Sequence, residues 1–435
     1  MLRTVVGVDL GSNSARAVAL DPEGNVRGSA TGTYPGAESW PEGRADQAAW
    51  LAGVVEAVTG LLGSLNGGGR PEAICVGGQS PTTVPVGEGP AVTCRHPAGA
   101  TGSPAEQQYA QRDVLGPGCE ARQVFDWLMA RLGADDHQSR WPGDPPLDGF
   151  GPLTLTGAAV GETDGGLGLP PGVPLVAGAP DAYLAFWAGG LDTPGRGLDP
   201  GGRTGGLAVA IEASAAHGDL YALRSVATGV DIVGGPVGAH GLMLEWLAGL
   251  TGRSVPDLLE LAEAVSPGSG GLLVLPYLEG ERAPRWNREL RAEIVGIGTG
   301  HGPAHVCRAV MEGAAYGLRH IADALPVSLG VLVCAGSPAR SPLWCRIKAD
   351  VLEVPVEVPA ETGLAAYGAA LAAGAGAGWW PAPGTAPGGS WPRPSVTVVE
   401  PSPDPVYRDA YRRFIALGDA AELRLASEES LCPTR

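Results

Sequence analysis

Thr4-Val5-Val6-Gly7-Val8-Asp9-Leu10-Gly11-Ser12-Asn13-Ser14-Ala15-Arg16-Ala17-Val18-Ala19-Leu20 opens as a β-branched apolar run, breaks at four small residues, and resumes as an apolar alternation. That pattern predicts two strands joined by a tight turn. Pro22-Glu23-Gly24-Asn25 supplies a second turn, and residues 26–34 a third strand, so the start reads as a three-stranded antiparallel meander. Apolar residues at helical spacing then run through 48–65 (Trp50, Leu51, Val54, Val55, Val58, Leu61, Leu62), followed by a strand at 73–76. Strands followed by a helix and another strand define an α/β layer.

Outward from this stretch the signal weakens and then returns. Residues 82–170 are rich in Gly, Pro and polar side chains, and the spacing predicts only one helix there, near 122–132. A strand follows at 173–177, a turn at 178–181 and the start of a helix at 182–187. The second half repeats the theme. Gly201-Gly202-Arg203-Thr204-Gly205-Gly206 leads into a strand at 207–211 and is a counterpart of the first turn. Helices are predicted at 238–249, 255–265, 304–324, 342–352 and 364–375, with strands at 331–334 and 355–359. A Pro-rich connection spans 379–405, and an amphipathic helix closes the chain at 407–425. The 435 residues exceed what one core usually organises. The expectation is therefore two α/β domains, 1–196 and 197–435, with a cleft between them.

The net charge is −17, which opposes association with nucleic acid or anionic membranes. Of the 29 basic residues only Lys348 is a lysine, and this Arg bias, with abundant Ala, Gly and Pro, suggests a GC-rich bacterial source. Seven scattered cysteines without CxxC spacing indicate neither a disulfide framework nor a zinc cage. The N-terminus runs straight into the first strand, and no apolar run is long enough to span a bilayer. A cytoplasmic protein with neither membrane nor nucleic acid as partner is expected.

Asp9 stands near the end of a strand, just before small residues whose backbone N–H groups can approach phosphate oxygens closely. A carboxylate there can hold hydrated Mg²⁺, which prefers oxygen ligands and retains waters. An ordinary hairpin turn, with Asp and Ser chosen for turn chemistry, explains the same residues equally well.

The opening, followed by Ile74-Cys75-Val76-Gly77-Gly78-Gln79, resembles the FGGY carbohydrate kinases, the family that includes xylulokinase and glycerol kinase. Leu175-Val176-Ala177-Gly178-Ala179-Pro180-Asp181 resembles the turn that presents that family's catalytic carboxylate. Leu275-Pro276-Tyr277-Leu278-Glu279-Gly280-Glu281-Arg282-Ala283-Pro284 leads to a signature running from Ala292, Ile294, Gly296 and Ile297 to Glu312, and Ala335-Gly336-Ser337-Pro338-Ala339-Arg340-Ser341 resembles the adenosine loop. Gly368-Ala369-Ala370 resembles the closing helix.

The resemblance implies an actin-like, hexokinase-like architecture and ATP-dependent phosphorylation of a sugar or polyol hydroxyl. On it Asp181 is the general base and Asp9 the Mg²⁺ carboxylate. Gly11, Ser12, Asn13, Ser14 and Arg16 from the first domain, with Gly202, Thr204 and Gly205 from the second, would bind the phosphates of ATP. Gly336, Ser337 and Ser341 would form the adenosine side. Asp181 can instead cap the helix that follows it, Ser341 can cap the helix begun by Pro342, and Arg16 can be a solvated strand residue.

The acceptor side departs from the family pattern. Gln79 is followed by Ser80-Pro81-Thr82, the Trp-x-Asp-x-Arg segment is replaced by Cys94-Arg95-His96-Pro97-Ala98-Gly99, and the stretch from Gln79 to Asp181 is short. Trp40, Asp46, Gln79, Ser80, Arg95 and His96 are the substrate candidates, and Arg203 stands where relatives carry Thr. Two alternatives follow: a degenerate homologue that binds nucleotide and sugar but transfers little phosphate, and a kinase of a specialised metabolite. A homodimer is left open.

Overall fold

The computed structural model describes residues 2–65, 70–97, 103–116, 118–213, 215, 220–238 and 240–431. Cys432, Ala98 and Gly99 lie outside the described residues. Its ten α-helices among them are α1 (Gln47–Ser64), α2 (Pro104–Leu115), α3 (Val124–Arg131), α4 (Asp181–Ala188), α5 (Gly241–Thr251), α6 (Val255–Glu263), α7 (Pro303–Asp323), α8 (Pro342–Leu352), α9 (Leu364–Gly376) and α10 (Pro405–Leu431). The chain divides into two compact units. One gathers Met1–Asp192, Arg224–Val230 and Gly363–Pro394; the other gathers Thr193–Leu223, Asp231–Thr362 and Ser395–Arg435. Residues 363–394 thus pack with the first part of the chain although they follow most of the second.

The first unit is built on a six-stranded sheet of β1 (Val5–Leu10), β2 (Ser14–Leu20), β3 (Val26–Thr33), β4 (Ile74–Gly78), β5 (Ala159–Glu162) and β6 (Pro174–Pro180), in the order β5-β6-β4-β1-β2-β3. The meander β1-β2-β3 is antiparallel, while β1 and β6 both run parallel to β4. Strand alternation decides which side each residue faces. Val6, Val8 and Leu10 point to one side and join Trp50, Val54, Leu61, Phe125 and Trp127 in the core under α1 and α3. Gly7 and Asp9 point to the other, where α9 crosses so closely that a Cβ on Gly7 would sit 2.1 Å from the Ala370 nitrogen. Only glycine permits that approach.

No turn separates strand from helix at 178–181, contrary to the expectation from sequence. β6 continues to Pro180 and α4 begins at Asp181 itself. The reason is a bulge: register with β4 shifts between Val176 and Ala179, and the displaced Gly178 N–H donates to Ser139 Oγ at 3.1 Å. The Pro-rich stretch 379–405 likewise contains a strand, Val396–Val399, and the weak region 82–170 holds α2.

The second unit carries a seven-stranded sheet of β7 (Arg196–Asp199), β8 (Gly206–Glu212), β9 (Tyr221–Arg224), β10 (Val230–Pro236), β11 (Val331–Cys334), β12 (Val356–Pro359) and β13 (Val396–Val399), in the order β9-β10-β8-β7-β11-β12-β13. β7 and β8 form an antiparallel pair, and β7 runs parallel to β11. The Gly-rich run 201–205 is therefore a hairpin loop, as β1 and β2 are joined in the first unit. α7 and α8 cover this sheet through Leu318, Ile321, Cys345 and Ala349.

Candidate active site

The first unit brings Asp9 and Asp181 together at the C-terminal end of its parallel strands. Asp9 is level with Gly77 of β4 and opposite Arg16 of β2, while Gly78 is level with both Leu10 and Pro180. Both carboxylates are half-buried. Burial, and then the charge of Asp181, pushes the Asp9 carboxyl up to about 8, with Arg16 opposing. Burial likewise pushes Asp181 up to about 6, eased by the Ala182 N–H, which donates to its Oδ1 at 2.7 Å. Two carboxylates in one poorly solvated place resist simultaneous ionisation.

Asp181 does not act as the N-cap: that position is Pro180, and Asp181 is the first residue of the helix. Asp9 Oδ1 is buried and has no hydrogen-bond partner among the described residues. A buried carboxylate oxygen without a donor is costly unless a water, ion or ligand completes it. Hydrated Mg²⁺ fits it, because bound waters donate hydrogen bonds and the cation offsets the second carboxylate.

The turn Gly11–Ser14 lies beside this pair. Gly11 N–H donates to Ser14 O at 3.2 Å, and Tyr34 Oη donates to Gly11 O at 3.1 Å. Ser12 and Asn13 are exposed, Gly11 and Ser14 half-buried. Ser12 Oγ donates to Gln79 Oε1 at 3.0 Å, and Gln79 N–H donates to Leu10 O at 3.1 Å, so the substrate candidate Gln79 is tied to the phosphate candidate Ser12. Ser80 follows, half-buried. Trp40 stacks on Tyr34 with centroids 6.0 Å apart, which places it against the support of the same turn.

Other candidates have different placements. Asp46 is the N-cap of α1, accepting from Ala48 and Ala49 N–H at 2.7 and 3.0 Å. Arg95 is exposed on the turn after Thr93, and half-buried His96 has its backbone against Gly43.

In the second unit the loop after β7 meets the loop after β11. Gly336 has φ 68° and ψ −164°, a conformation essentially restricted to glycine, and a Cβ there would lie 2.8 Å from Pro200 O. Exposed Gly202 and half-buried Thr204 therefore belong to the same loop pair as Gly336 and exposed Ser337, with buried Gly205 closing the hairpin. The first loop is pinned from α5, His240 and Leu242 N–H both donating to Arg203 O and Gly241 N–H to Gly202 O. Ser341 Oγ accepts from Trp344 N–H at 3.3 Å as the N-cap of α8, with Pro342 at the first helical position. The Arg203 guanidinium is 3.2 Å from Glu245.

Beneath both loops lies a site the sequence reading missed. Lys348 Nζ donates to Asp199 Oδ2 at 2.6 Å, and both side chains are fully buried. Asp199 Oδ1 accepts from Gly201 N–H at 2.9 Å, and its backbone O accepts from Ala335 N–H at 2.9 Å, so one residue holds the starts of both loops. Burial pushes the Asp199 carboxyl up, but the charge of Lys348, with the hydrogen bonds from Lys348 and the Gly201 N–H, outweighs it and holds it below the usual range. Burial, aided by Lys348, lowers His240 to about 4, so its imidazole is neutral. The available signal was that Lys348 is the single lysine of the chain.

The family-like signature on α7 is structural. Glu312 accepts from Arg308 Nε, Ser269 Oγ and Gly268 N–H at 2.9, 2.8 and 3.0 Å, and Arg308 donates to Tyr407 Oη at 2.9 Å. These bonds tie α7 to α10 and to the segment before it.

The fold is the two-domain, actin-like fold of sugar kinases. It superposes on a xylulose kinase from Lactobacillus acidophilus with a TM-score of 0.79 at 17% identity, covering 96% of this chain and 98% of that one. A gluconate kinase from the same organism gives 0.78 at 17% identity, covering 97% and 98%. Residues 232–377 match the C-terminal domain of the FGGY family of carbohydrate kinases. A glycerol kinase from Gloeobacter violaceus is 38% identical over 145 residues, 32% of this chain and 29% of that protein. A gluconokinase from Bacillus subtilis is 31% identical over 225 residues, 47% of this chain and 43% of that protein. The chain thus matches less than half the length of these curated relatives. No helix among the described residues is long and apolar enough to cross a membrane.

Proposed function

We propose that this protein transfers the γ-phosphoryl group of ATP to a hydroxyl of a sugar or polyol, with Asp181 as the general base. The observation that carries the reading is the Asp9–Asp181 pair: two half-buried carboxylates at the ends of β1 and just beyond β6, one with a buried oxygen lacking a donor. The names of the relatives, glycerol kinase, gluconokinase and xylulose kinase, support a polyhydroxy acceptor.

In this reading Asp181 Oδ takes the proton of the acceptor hydroxyl as its oxygen bonds to the γ-phosphorus and the bond to the β-phosphate oxygen breaks, releasing ADP. The raised carboxyl of Asp181 suits this role, since a base titrating near the working pH both ionises and accepts a proton readily. Asp9 would hold Mg²⁺ through its waters; the ion supplies charge neutralisation on the phosphates. Ser12, Asn13 and Ser14 offer N–H and hydroxyl donors to phosphate oxygens, Gly11 holds the turn through its bond to Ser14 O, and Arg16 adds charge beside Asp9. Gly202, Thr204, Gly205, Gly336 and Ser337 of the second unit bind nucleotide, while Ser341 acts through the cap of α8. Gln79, Ser80 and Trp40 contribute to the acceptor side.

Incubation with MgATP and a panel of D-xylulose, xylitol, D-gluconate and glycerol tests the reading. The expected result is ADP formed only with an acceptor and in equal amount to a phosphorylated product identified by mass spectrometry. ATP binding without phosphorylation of any polyhydroxy acceptor would refute it.

A further inference from the structure

The stretch between Gln79 and Asp181, where the familiar sugar-binding segment is absent, contains an unusual cation. Arg140 ends the short strand Gln138–Arg140 and is only 9% exposed, yet its guanidinium makes no hydrogen bond among the described residues. Its Nε is wholly shielded from water and without a partner. The nearest charge is Asp144 Oδ2, 3.8 Å from Nη2, which is an ion pair too long for a hydrogen bond. Asp144 keeps 22% of its side-chain surface, and its other oxygen receives only a long contact of 3.4 Å from Tyr183 Oη. A donor fork and an acceptor therefore stand side by side, both underused, where burial makes underuse costly.

This cluster is attached to both flanks of Asp181. Thr156 Oγ1 lies 3.2 Å from the Arg140 carbonyl and 2.7 Å from that of Gly178, three residues before Asp181. Tyr183, two residues after Asp181, has its ring stacked on Trp141 at 5.2 Å and 7°. Trp141 is fixed in turn by Nε1–H donating to Arg224 O at 2.9 Å. Arg140, Asp144 and Tyr183 are thus tied to the strand and helix that carry the proposed base.

We propose that Arg140 and Asp144 are specificity-determining residues that read two adjacent hydroxyls of the acceptor. Arg140 donates hydrogen bonds to one or both hydroxyl oxygens, Asp144 accepts hydrogen bonds from their O–H groups, and Tyr183 positions Asp144. A hydroxyl both accepts and donates, so a vicinal diol satisfies the fork and the carboxylate together. A carboxylate or phosphate group at the same place would meet Asp144 as a like charge, so the part of the acceptor read here is neutral. The inference rests on the kinase reading for its ligand and deepens it by naming the chemical feature recognised.

The test uses the acceptor of the panel that turns over best, its monodeoxy analogues, and the full-length wild-type, Arg140→Gln, Arg140→Lys and Asp144→Asn proteins, each checked for a cooperative melt. In the wild type, removal of either hydroxyl of one adjacent pair should lower kcat/KM by at least ~10²-fold. Arg140→Gln should raise the acceptor KM by ~10–10²-fold with a much smaller change in kcat, and Arg140→Lys should recover part of the loss. Asp144→Asn should behave like Arg140→Gln, and neither variant should discriminate further against the decisive deoxy analogue. Equal discrimination by wild type and variants would overturn the assignment, as would an unchanged KM. If no acceptor turns over, the kinase reading fails separately, and calorimetry with xylitol decides this one: binding weakened by Arg140→Gln and Asp144→Asn supports it, and absent or unaffected binding overturns it.

Discussion

Asp9 and Asp199 occupy matching places in the two units: each lies at the end of a strand that leads into a hairpin loop, and each strand runs parallel to its neighbour on the other side. Their electrostatics are opposite. Asp199 meets a fully buried Lys348 at 2.6 Å and is held ionised, whereas Asp9 faces a second carboxylate and is pushed toward its protonated form. One position has been neutralised internally and serves to fix two loops. The other has no internal cation, and one of its buried oxygens has no donor among the described residues. On the proposed reading, the difference separates an aspartate that fixes loops from one that holds the metal.

The largest effect expected on stability comes from breaking the satisfied side of this comparison. Lys348→Ala strands a buried carboxylate and should destabilise the second unit by about 3–5 kcal/mol in denaturant unfolding. Replacing both partners, Lys348→Met with Asp199→Leu, should recover much of that loss while leaving nucleotide affinity impaired, since the Gly201 N–H loses its acceptor. Full recovery of affinity would remove Asp199 from the support of the loops.

The unsatisfied side makes the reverse prediction. The folded carboxyl of Asp181 is raised above its unfolded value, so the native state holds more protons and loses stability as pH rises through about 6. Asp181→Asn removes a charge the fold disfavours and should raise Tm at pH 8 by roughly 2–4 °C for each kcal/mol recovered. In the wild type, kcat/KM should fall about tenfold per pH unit below about 6, as the base becomes protonated. A rate independent of pH down to 4.5 would oppose the assignment. The smallest effect is at Ser341: Ser341→Ala removes the α8 cap and should lower stability by about 1 kcal/mol with nucleotide affinity nearly unchanged. A large loss of affinity would give that hydroxyl a direct nucleotide contact.

What the sequence made legible follows the length and alternation of each element. β1, β2 and β3 carry β-branched or alternating apolar residues over six to eight positions and were readable, as were α1, α7 and α8. β7 has four residues and a single large apolar side chain, Leu198, so no period can be counted, and Asp199 was missed with it. α2 was invisible for another reason. Its inward residues include Gln108 and Gln111, which are buried because Gln123, Thr83 and two backbone carbonyls complete their hydrogen bonds. Hydrophobic periodicity cannot detect a helix that packs through amides. α9 was placed correctly along the chain, but its docking against Gly7 of β1 is a long-range contact for which the small residues of both elements gave only an indirect sign.

Asp181 could be singled out as a candidate from its motif and Asp9 from its strand-end position, whereas their mutual influence required three-dimensional proximity. The measurement that tests this account most directly is phosphoryl transfer by Asp181→Asn at saturating MgATP and acceptor, with binding of both followed by calorimetry. A kcat lowered by about 10²–10⁴-fold with both affinities retained is the predicted result. Turnover equal to that of the wild type would contradict it.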